Sequence, residues 1–243
     1  MNTMQILSVV VFLIVMAAIV TEKVHRTVAA VAGAVVLVFL HVLTVDDAVS
    51  YIDFNTIGVL IGMMLFVAVV RNSGLFEYVA IKAAKIAKGN PWKIMLLFII
   101  ITTALSAFLD NVTTVLLVGP MTIAITGILG LNPVPFLLTQ ILASNIGGTA
   151  TLIGDPPNIM IGSQAGLSFV DFVVNTGLAV VFIMIATCLC FYFLYGRKMV
   201  VEPDKMAAVM QLDESKSIMD HGLLVKSVVM IGLVVLGFVF HSA

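Results

Sequence analysis

The amino-acid sequence predicts an all-α polytopic membrane protein, and three observations support this fold class. Apolar residues make up 61% of the 243 residues, whereas Asp, Glu, Lys and Arg together make up 10%. An ordinary soluble domain carries roughly 25% charged residues. The apolar residues form runs close to the roughly 20 needed for a spanning helix, and the basic residues fall in only some of the connections. The net charge of −1 and the lack of a basic stripe argue against a nucleic-acid partner.

Eight apolar runs are the predicted membrane segments. In chain order they are Met4 to Val20, Thr27 to Leu43, Phe54 to Val70, Ile94 to Leu109, Val112 to Gly130, Phe136 to Ile153, Thr176 to Tyr195 and Leu224 to Phe240. Lys and Arg accumulate at 22–26, 71–93 and 197–226. The positive-inside rule places these connections in the cytoplasm and the N-terminus outside, in a plasma (cell inner) membrane.

The fourth and fifth runs are predicted to form a re-entrant hairpin over residues 91–130. Ile94 to Leu109 would rise roughly 24 Å as a helix, which is less than the roughly 30 Å hydrocarbon core. The polar tip, Leu109 to Thr114, would then lie within the membrane. Loop charge is the same for two full crossings, so that alternative stays open.

The sixth run is predicted to be a broken helix over residues 136–166. Gly147 and Gly148 would end its first half in a left-handed C-terminal turn. Asp155 would then cap a second half that begins at Pro156, because a proline costs no hydrogen bond at the first helical position. In the alternative, the helix continues to Ile153 and the Asp-Pro-Pro-Asn stretch lies in an outer loop.

These segments predict one inverted-repeat unit. Residues 1–90 would hold scaffold helices and an amphipathic helix at the membrane interface, Leu75 to Lys88, with Leu75, Phe76, Val79 and Ile86 on its apolar side. Residues 91–195 would form a transport module that ends with a helix at 176–195. Residues 196–223 would be a cytoplasmic linker, and 224–243 would be the first helix of a truncated second repeat.

Asp110 and Asp155 are the only acidic residues within the sequence assigned to membrane depth. An acid at a helix centre costs about 2.5 to 3.5 kcal/mol on insertion scales, so such residues usually face a polar path. Helix ends at the same two places would add partial charges that attract ions. The two breaks therefore predict a binding site.

Three stretches resemble the ArsB/NhaD permeases of the ion transporter superfamily, with the P-protein branch closest. They are Thr21 to Arg26, Phe108 to Thr114, and Ser144 to Asn158 with its Gly-Gly-Thr-Ala-Thr-Leu-Ile-Gly-Asp-Pro-Pro-Asn block. The resemblance implies a secondary transporter for an anion or oxyanion such as arsenite, or for sodium against protons. It also implies a homodimer and a second, mirrored repeat that this chain lacks.

The resemblance also implies which residues line the site. These are Asp110, Asn111, Thr113, Thr114, Asn145, Gly147, Gly148, Thr149, Thr151, Asp155 and Asn158. A sodium ion would bind at Asp110, Asn111 and Gly148. Related sodium symporters have a neutral residue where Asp155 stands, so two titratable carboxylates favour Na⁺ or H⁺ as the coupling ion. No other cofactor is expected.

Two other functions remain open from the sequence. Two intramembrane aspartates are typical of diaspartyl intramembrane proteases, in which close carboxylates share a proton. The Gly-x-Gly-Asp block of those enzymes is absent, because Leu152 occupies the first glycine position. A noncatalytic membrane subunit that completes a two-half transporter is the other alternative. No residue selects the transported ion.

Overall fold

The structure is a computed structural model that describes residues 2–240, and within that range it is helical without any strand. The helices are α1 (Thr3–Val20), α2 (Arg26–Phe39), α3 (Val45–Ser50), α4 (Phe54–Arg71), α5 (Leu75–Ile86), α6 (Pro91–Ser106), α7 (Asn111–Leu129), α8 (Val134–Thr149), α9 (Pro156–Ala165), α10 (Phe169–Leu194), α11 (Pro203–Met210) and α12 (His221–Phe240). In this range α1, α4, α7, α10 and α12 are long and apolar enough to span a membrane. The predicted all-α polytopic membrane fold is confirmed.

The described residues up to 54 form one compact unit, in which α1 packs against α2. Asn2 caps α1 and Gln5 bonds back to it, which satisfies two amide groups at the exposed helix start. The short helix α3 was not predicted. Thr44 and Asp47 form a reciprocal capping box at its start, and these hydrogen bonds hold the pKa of the Asp47 carboxyl below its usual value.

The described residues from 55 to 240 form the second compact unit, and its core lies where α6, α7 and α8 meet. Ile94, Phe98 and Ile99 of α6 are buried there with Ile125 of α7 and Phe136 of α8. Such close-packed side chains supply most of the stability of a helical bundle. α7 runs antiparallel to both neighbours, so α6 and α8 are parallel and their C-terminal ends lie at the same level.

The amphipathic helix α5 packs on α6 and α7. Its buried side is formed by Phe76, Ile81 and three alanines. Ile86, predicted to lie on the apolar side, is instead 66% exposed. The difference arises because small alanines, rather than the larger isoleucine, let this helix approach its neighbours closely.

The segments around α10 differ from the predicted ranges. α10 begins at Phe169 rather than Thr176, because Ser168 and Asp171 form a capping box that starts the helix earlier. Residues 196–223 contain α11 and two short 3-10 turns, and Val209 of α11 is fully buried. α12 begins at His221, and the last residues of the predicted second-repeat helix, 241–243, lie outside the described part of the chain.

Candidate functional site

The tip of the α6–α7 hairpin has the predicted helix ends. α6 ends at Ser106, and α7 begins at Asn111 after the connecting residues 107–110. Asp110 is the N-cap of α7, where its Oδ1 accepts a 2.9 Å hydrogen bond from the backbone N–H of Thr113. The carboxylate therefore neutralises the positive end of the α7 dipole.

The helix break is also present, between Thr149 at the end of α8 and Pro156 at the start of α9. The alternative of an uninterrupted helix to Ile153 is wrong. The predicted left-handed turn at Gly147 and Gly148 is wrong as well, since both glycines lie within α8. Their φ angles are not positive.

The two glycines serve close packing rather than helix termination. A Cβ on Gly147 would collide with the backbone carbonyl of Thr103 in α6. A Cβ on Gly148 would lie 2.8 Å from the carbonyl oxygen of Gly154, and one on Gly154 would lie 2.7 Å from that of Ser106. The break thus folds back onto the ends of α6 and α8, and a side chain at any of these three glycines would force them apart.

Protein side chains satisfy the carbonyl groups that the break leaves free. The Thr176 hydroxyl of α10 has one proton and three carbonyl oxygens within reach: that of Phe172 in its own helix at 2.7 Å, that of Thr149 at 3.0 Å and that of Ala150 at 3.3 Å. The side-chain amide of Asn158 donates to the carbonyls of Gly148 and Thr151, at 3.1 and 2.8 Å. Carbonyl groups released by a helix break need such partners where they are buried away from water.

Two further contacts join the hairpin to the broken helix. The Thr151 hydroxyl donates to the carbonyl oxygen of Ala107, just beyond α6. The side-chain amide of Asn111 donates to Oδ1 of Asn145 at 3.0 Å. The two predicted breaks therefore meet at one place, where the C-terminal ends of α6 and α8 lie beside the starts of α7 and α9.

Asp155 stands at the N-cap position of α9 but does not cap it. The residues that follow, Pro156 and Pro157, have no N–H to donate. The next backbone N–H, that of Asn158, donates to the backbone carbonyl of Asp155 at 3.0 Å rather than to the Asp155 side chain. The predicted side-chain cap is therefore wrong. Among residues 2–240 no hydrogen bond to this half-buried carboxylate occurs.

The other predicted site residues take different positions. The Thr149 hydroxyl bonds to the carbonyl of Asn145 within its own helix, at 2.8 Å. Thr113 is half-buried, and Thr114 is fully buried with a hydroxyl that has no hydrogen-bond partner in the described structure. Asp110 and Asp155 share no hydrogen bond with each other within residues 2–240.

Sequence reasoning missed three polar residues near the site. Ser106 donates to the carbonyl of Ser144 at 2.7 Å, and Thr176 closes the end of α8. Gln140, fully buried, donates to the Thr122 hydroxyl at 2.5 Å between α8 and α7. The signal that could have found these residues is a hydroxyl or amide inside an apolar run, because a buried polar group needs a hydrogen-bond partner.

The profile of the family described as "Citrate transporter" matches residues 16–243. The chain belongs to the citrate transporter family. Its relatives include a protein named as an uncharacterized transporter of Mycobacterium tuberculosis, which is 43% identical over 242 residues and covers 98% of this chain. The 46 kDa membrane protein of Mycobacterium leprae is 40% identical over the same length.

A second group of relatives of this citrate transporter family member is named P protein. The human P protein is 39% identical over 181 residues, which is 70% of this chain and 22% of that protein. The predicted resemblance to ion transporters with a P-protein branch is confirmed. The chain spans 56% of the length of the mycobacterial relatives. Family membership favours a multi-pass membrane transporter over an enzyme.

Proposed function

We propose that this chain forms half of a secondary active transporter, and that this half binds the coupling cation beside Asp155. The observation that supports the proposal is the carboxylate left without a hydrogen-bond donor at the helix break. A charged acid inside a membrane costs about 2.5 to 3.5 kcal/mol on insertion scales. Binding of Na⁺ or H⁺ offsets that cost, and its release on the other side couples the ion gradient to transport.

The helix ends around the site favour a cation over an anion. Helix N-termini attract anions through free N–H groups and a positive dipole end. Here Asp110 already occupies the end of α7, and Pro156 and Pro157 remove the first two donors of α9. Residues 94–196 also contain no Lys, Arg or His. The helix ends in this half of the site therefore offer oxygen atoms and negative charge rather than free N–H groups or positive charge.

An anionic substrate would then bind next to the cation, with further contacts from a second half. A groove of about 320 Å³ between α7 and α8 is lined by Asn111, Ser144, Asn145 and four apolar residues. Its amides would hold the polar end of the substrate. The family description suggests a small carboxylate such as citrate, and an oxyanion such as arsenite is the other class. Exchange of sodium for protons is the alternative without an anion.

The arrangement in the membrane is part of the same proposal. The hairpin of α6 and α7 is re-entrant, the basic connections face the cytoplasm, and the N-terminus lies outside the plasma (cell inner) membrane. A second, mirrored repeat completes the site, and the scaffold helices form a homodimer. A cysteine that replaces Lys216 should be shielded from an impermeant thiol reagent in intact cells, whereas one that replaces Asp46 should react. The reverse labelling would contradict this orientation.

Transport is tested with a fusion of this chain to the remaining part of the Mycobacterium tuberculosis relative. The fusion is reconstituted in liposomes, and uptake of labelled citrate, arsenite and ²²Na⁺ is followed under imposed sodium and proton gradients. We expect uptake of one of these solutes to depend on one gradient. Absence of gradient-driven flux for every solute, in a fusion that is folded and inserted, would overturn the transporter proposal.

The cation site is tested in the same fusion with Asp155→Asn. We expect this variant to lose the dependence of flux on the coupling gradient, because the amide neither titrates nor attracts a cation strongly. The matched control is Asp46→Asn in the exposed start of α3, which should leave coupling unchanged. Coupling that survives in Asp155→Asn would remove Asp155 from the mechanism.

The half-molecule proposal has its own test. Liposomes that contain this chain alone should show no solute flux above empty liposomes, because one copy supplies only one broken helix. The same chain should co-purify with the separately expressed second half of the mycobacterial relative. Transport by this chain alone would refute the need for a second repeat. Co-purification without any flux would instead favour a noncatalytic subunit.

A further inference from the structure

The segment between α10 and α12 covers three helix connections of the second compact unit. Residues 203–217, which include α11 and the 3-10 turn Glu214–Ser217, are called the clasp below. The clasp packs against α5 and α7. Its residues contact the α4–α5, α5–α6 and α7–α8 connections at Gly74, Gly89 and Gly130.

Two of these glycines are required by the clasp as well as by their own backbone. Gly74 has φ +79° and Gly89 has φ +69°, a left-handed conformation that favours glycine. A Cβ on Gly74 would collide with the carbonyl oxygen of Ser217, and one on Gly89 would lie 2.7 Å from that of Met206. Backbone of the clasp therefore lies directly on the backbone of both connections.

The third connection is contacted by a charged side chain. A Cβ on Gly130 would lie 3.0 Å from Nζ of Lys205, which also pairs with Glu202 at 3.2 Å. A cation beside the end of α7 meets the negative end of that helix dipole. Val209 is fully buried between these contacts, and Met206 and Leu212 pack against the same core, so apolar residues anchor the clasp with polar groups around them.

One ion pair joins the clasp to α5. Lys85 Nζ lies 2.5 Å from Glu214 Oε2 and donates to the carbonyl oxygen of Leu212 at 3.2 Å. The side chains of Lys85 and Glu214 are 28% and 25% exposed to solvent. The hydrogen bond from Lys85 holds the pKa of the Glu214 carboxyl below its usual value, with a smaller effect from the positive charge of Lys82.

We propose that residues 203–217 are a conformational clasp, and that the Lys85–Glu214 ion pair is its reversible lock, which holds α5 against the base of the α6–α7 hairpin. α5 is the only link between α4 and α6 along the chain, so its freedom sets how far those helices can shift. The lock is releasable because partly exposed ion pairs are weak and screened by salt. The clasp does not depend on the identity of the transported ion.

Hydrogen exchange of the full chain in detergent micelles tests the lock. Lys85→Met removes the charge and keeps a similar aliphatic stem, so opening of the clasp should become more frequent. We expect about fivefold faster amide exchange in the clasp, residues 203–217, since partly exposed ion pairs are worth up to roughly a fivefold change in an equilibrium. Exchange in α8 should stay as in the unsubstituted chain.

Lys82→Met is the matched control. It removes a positive charge from the same helix, near Glu214, and loses the 3.1 Å bond to the Tyr78 hydroxyl and the contact with the Tyr78 ring, but it leaves the Lys85–Glu214 ion pair intact. Exchange in the clasp should change by less than twofold in this control. Equal acceleration in both variants, or none in Lys85→Met, would overturn the lock.

Two further variants keep the result decisive if Lys85→Met does not fold. Glu214→Gln should also accelerate clasp exchange, by a smaller factor, because Lys85 keeps its bond to the carbonyl of Leu212. The charge-reversed pair Lys85→Glu with Glu214→Lys should return exchange toward the original rate, which loss of packing alone would not do. Continued fast exchange in the reversed pair would contradict an ion-pair lock. These readouts involve no transport, so they stand or fall separately from the proposed function.

Discussion

The side-chain amide of Asn111 and Oδ1 of Asn145 form a 3.0 Å hydrogen bond that ties the first residue of α7 to the last third of α8. Asn145 is itself oriented by a 2.7 Å bond from its Nδ2 to the carbonyl of Ile141. The hairpin and the broken helix are thus fixed to each other close to the places where each of them is interrupted.

A double-mutant cycle on this pair should give a coupling energy of about 0.6 kcal/mol. Asn111→Ala, Asn145→Ala and the double variant are compared by the free energy of unfolding in mixed micelles. The expected size is that of interhelical hydrogen bonds in membrane proteins, which average near that value. Additive effects of the two single variants would mean that the bond contributes nothing to stability.

Gly147→Ala should destabilise the protein by about 2 kcal/mol. Its new Cβ would meet the backbone carbonyl of Thr103, which cannot move without separating α6 from α8. The matched control is Gly62→Ala in α4, where a Cβ meets nothing within 4 Å. Unfolding midpoints of the two variants in the same detergent should differ clearly. Equal midpoints would contradict the close packing of the helix ends.

Thr176→Val should lower the free energy of unfolding by about 1 kcal/mol, the usual value of a lost hydrogen bond. The variant keeps the shape of the side chain but removes the hydroxyl that the carbonyls of Phe172, Thr149 and Ala150 share. Thr176→Ser retains the hydroxyl and should stay close to the original stability. If Thr176→Ser is as unstable as Thr176→Val, packing rather than the hydrogen bond is responsible.

Acid should weaken the contact between the clasp and α5. The pKa of Glu214 is lowered in the folded chain, first by the hydrogen bond from Lys85. Its stabilising effect is therefore complete above the unfolded pKa, about 4.3, and is lost as the pH falls through the lower folded value. The rate of amide exchange in the clasp, corrected for the intrinsic rate, should rise as the pH falls below about 4.3. In Glu214→Gln this rise should be absent, and an unchanged rise would assign it to another group.

Much of the helical architecture could be predicted from the sequence because long apolar runs have few other structures in a bilayer. The helix break was predictable for the same reason, since Asp155 and two prolines within an apolar stretch disrupt a continuous helix. Asp110 as the cap of α7 also follows local rules, because the capping residue and the amide that it accepts from lie three residues apart.

The positions that sequence could not predict depend on contacts between distant residues. Gly147 and Gly148 are typical of a helix end, yet both continue α8, where Thr103 of α6 packs against Gly147 and Gly154 packs against Gly148. The role of Thr176 depends on α10 passing the end of α8, 26 residues after Ala150 in the chain. The start of α10 was missed because Asp171 and Asn175 suggested a loop, whereas Asp171 completes a capping box.

A measurement of how deep the two breaks lie in the bilayer is the most direct test of the claim that the site is inside the membrane. Single spin labels replace Val112 at the hairpin tip and Thr149 at the end of α8, with Cys188 and Cys190 changed to serine. Accessibility to oxygen and to a water-soluble nickel reagent then gives the depth of each label. We predict both labels within about 8 Å of the midplane of the roughly 30 Å core and reachable by the water-soluble reagent. Two labels at the headgroup level would contradict a site within the membrane.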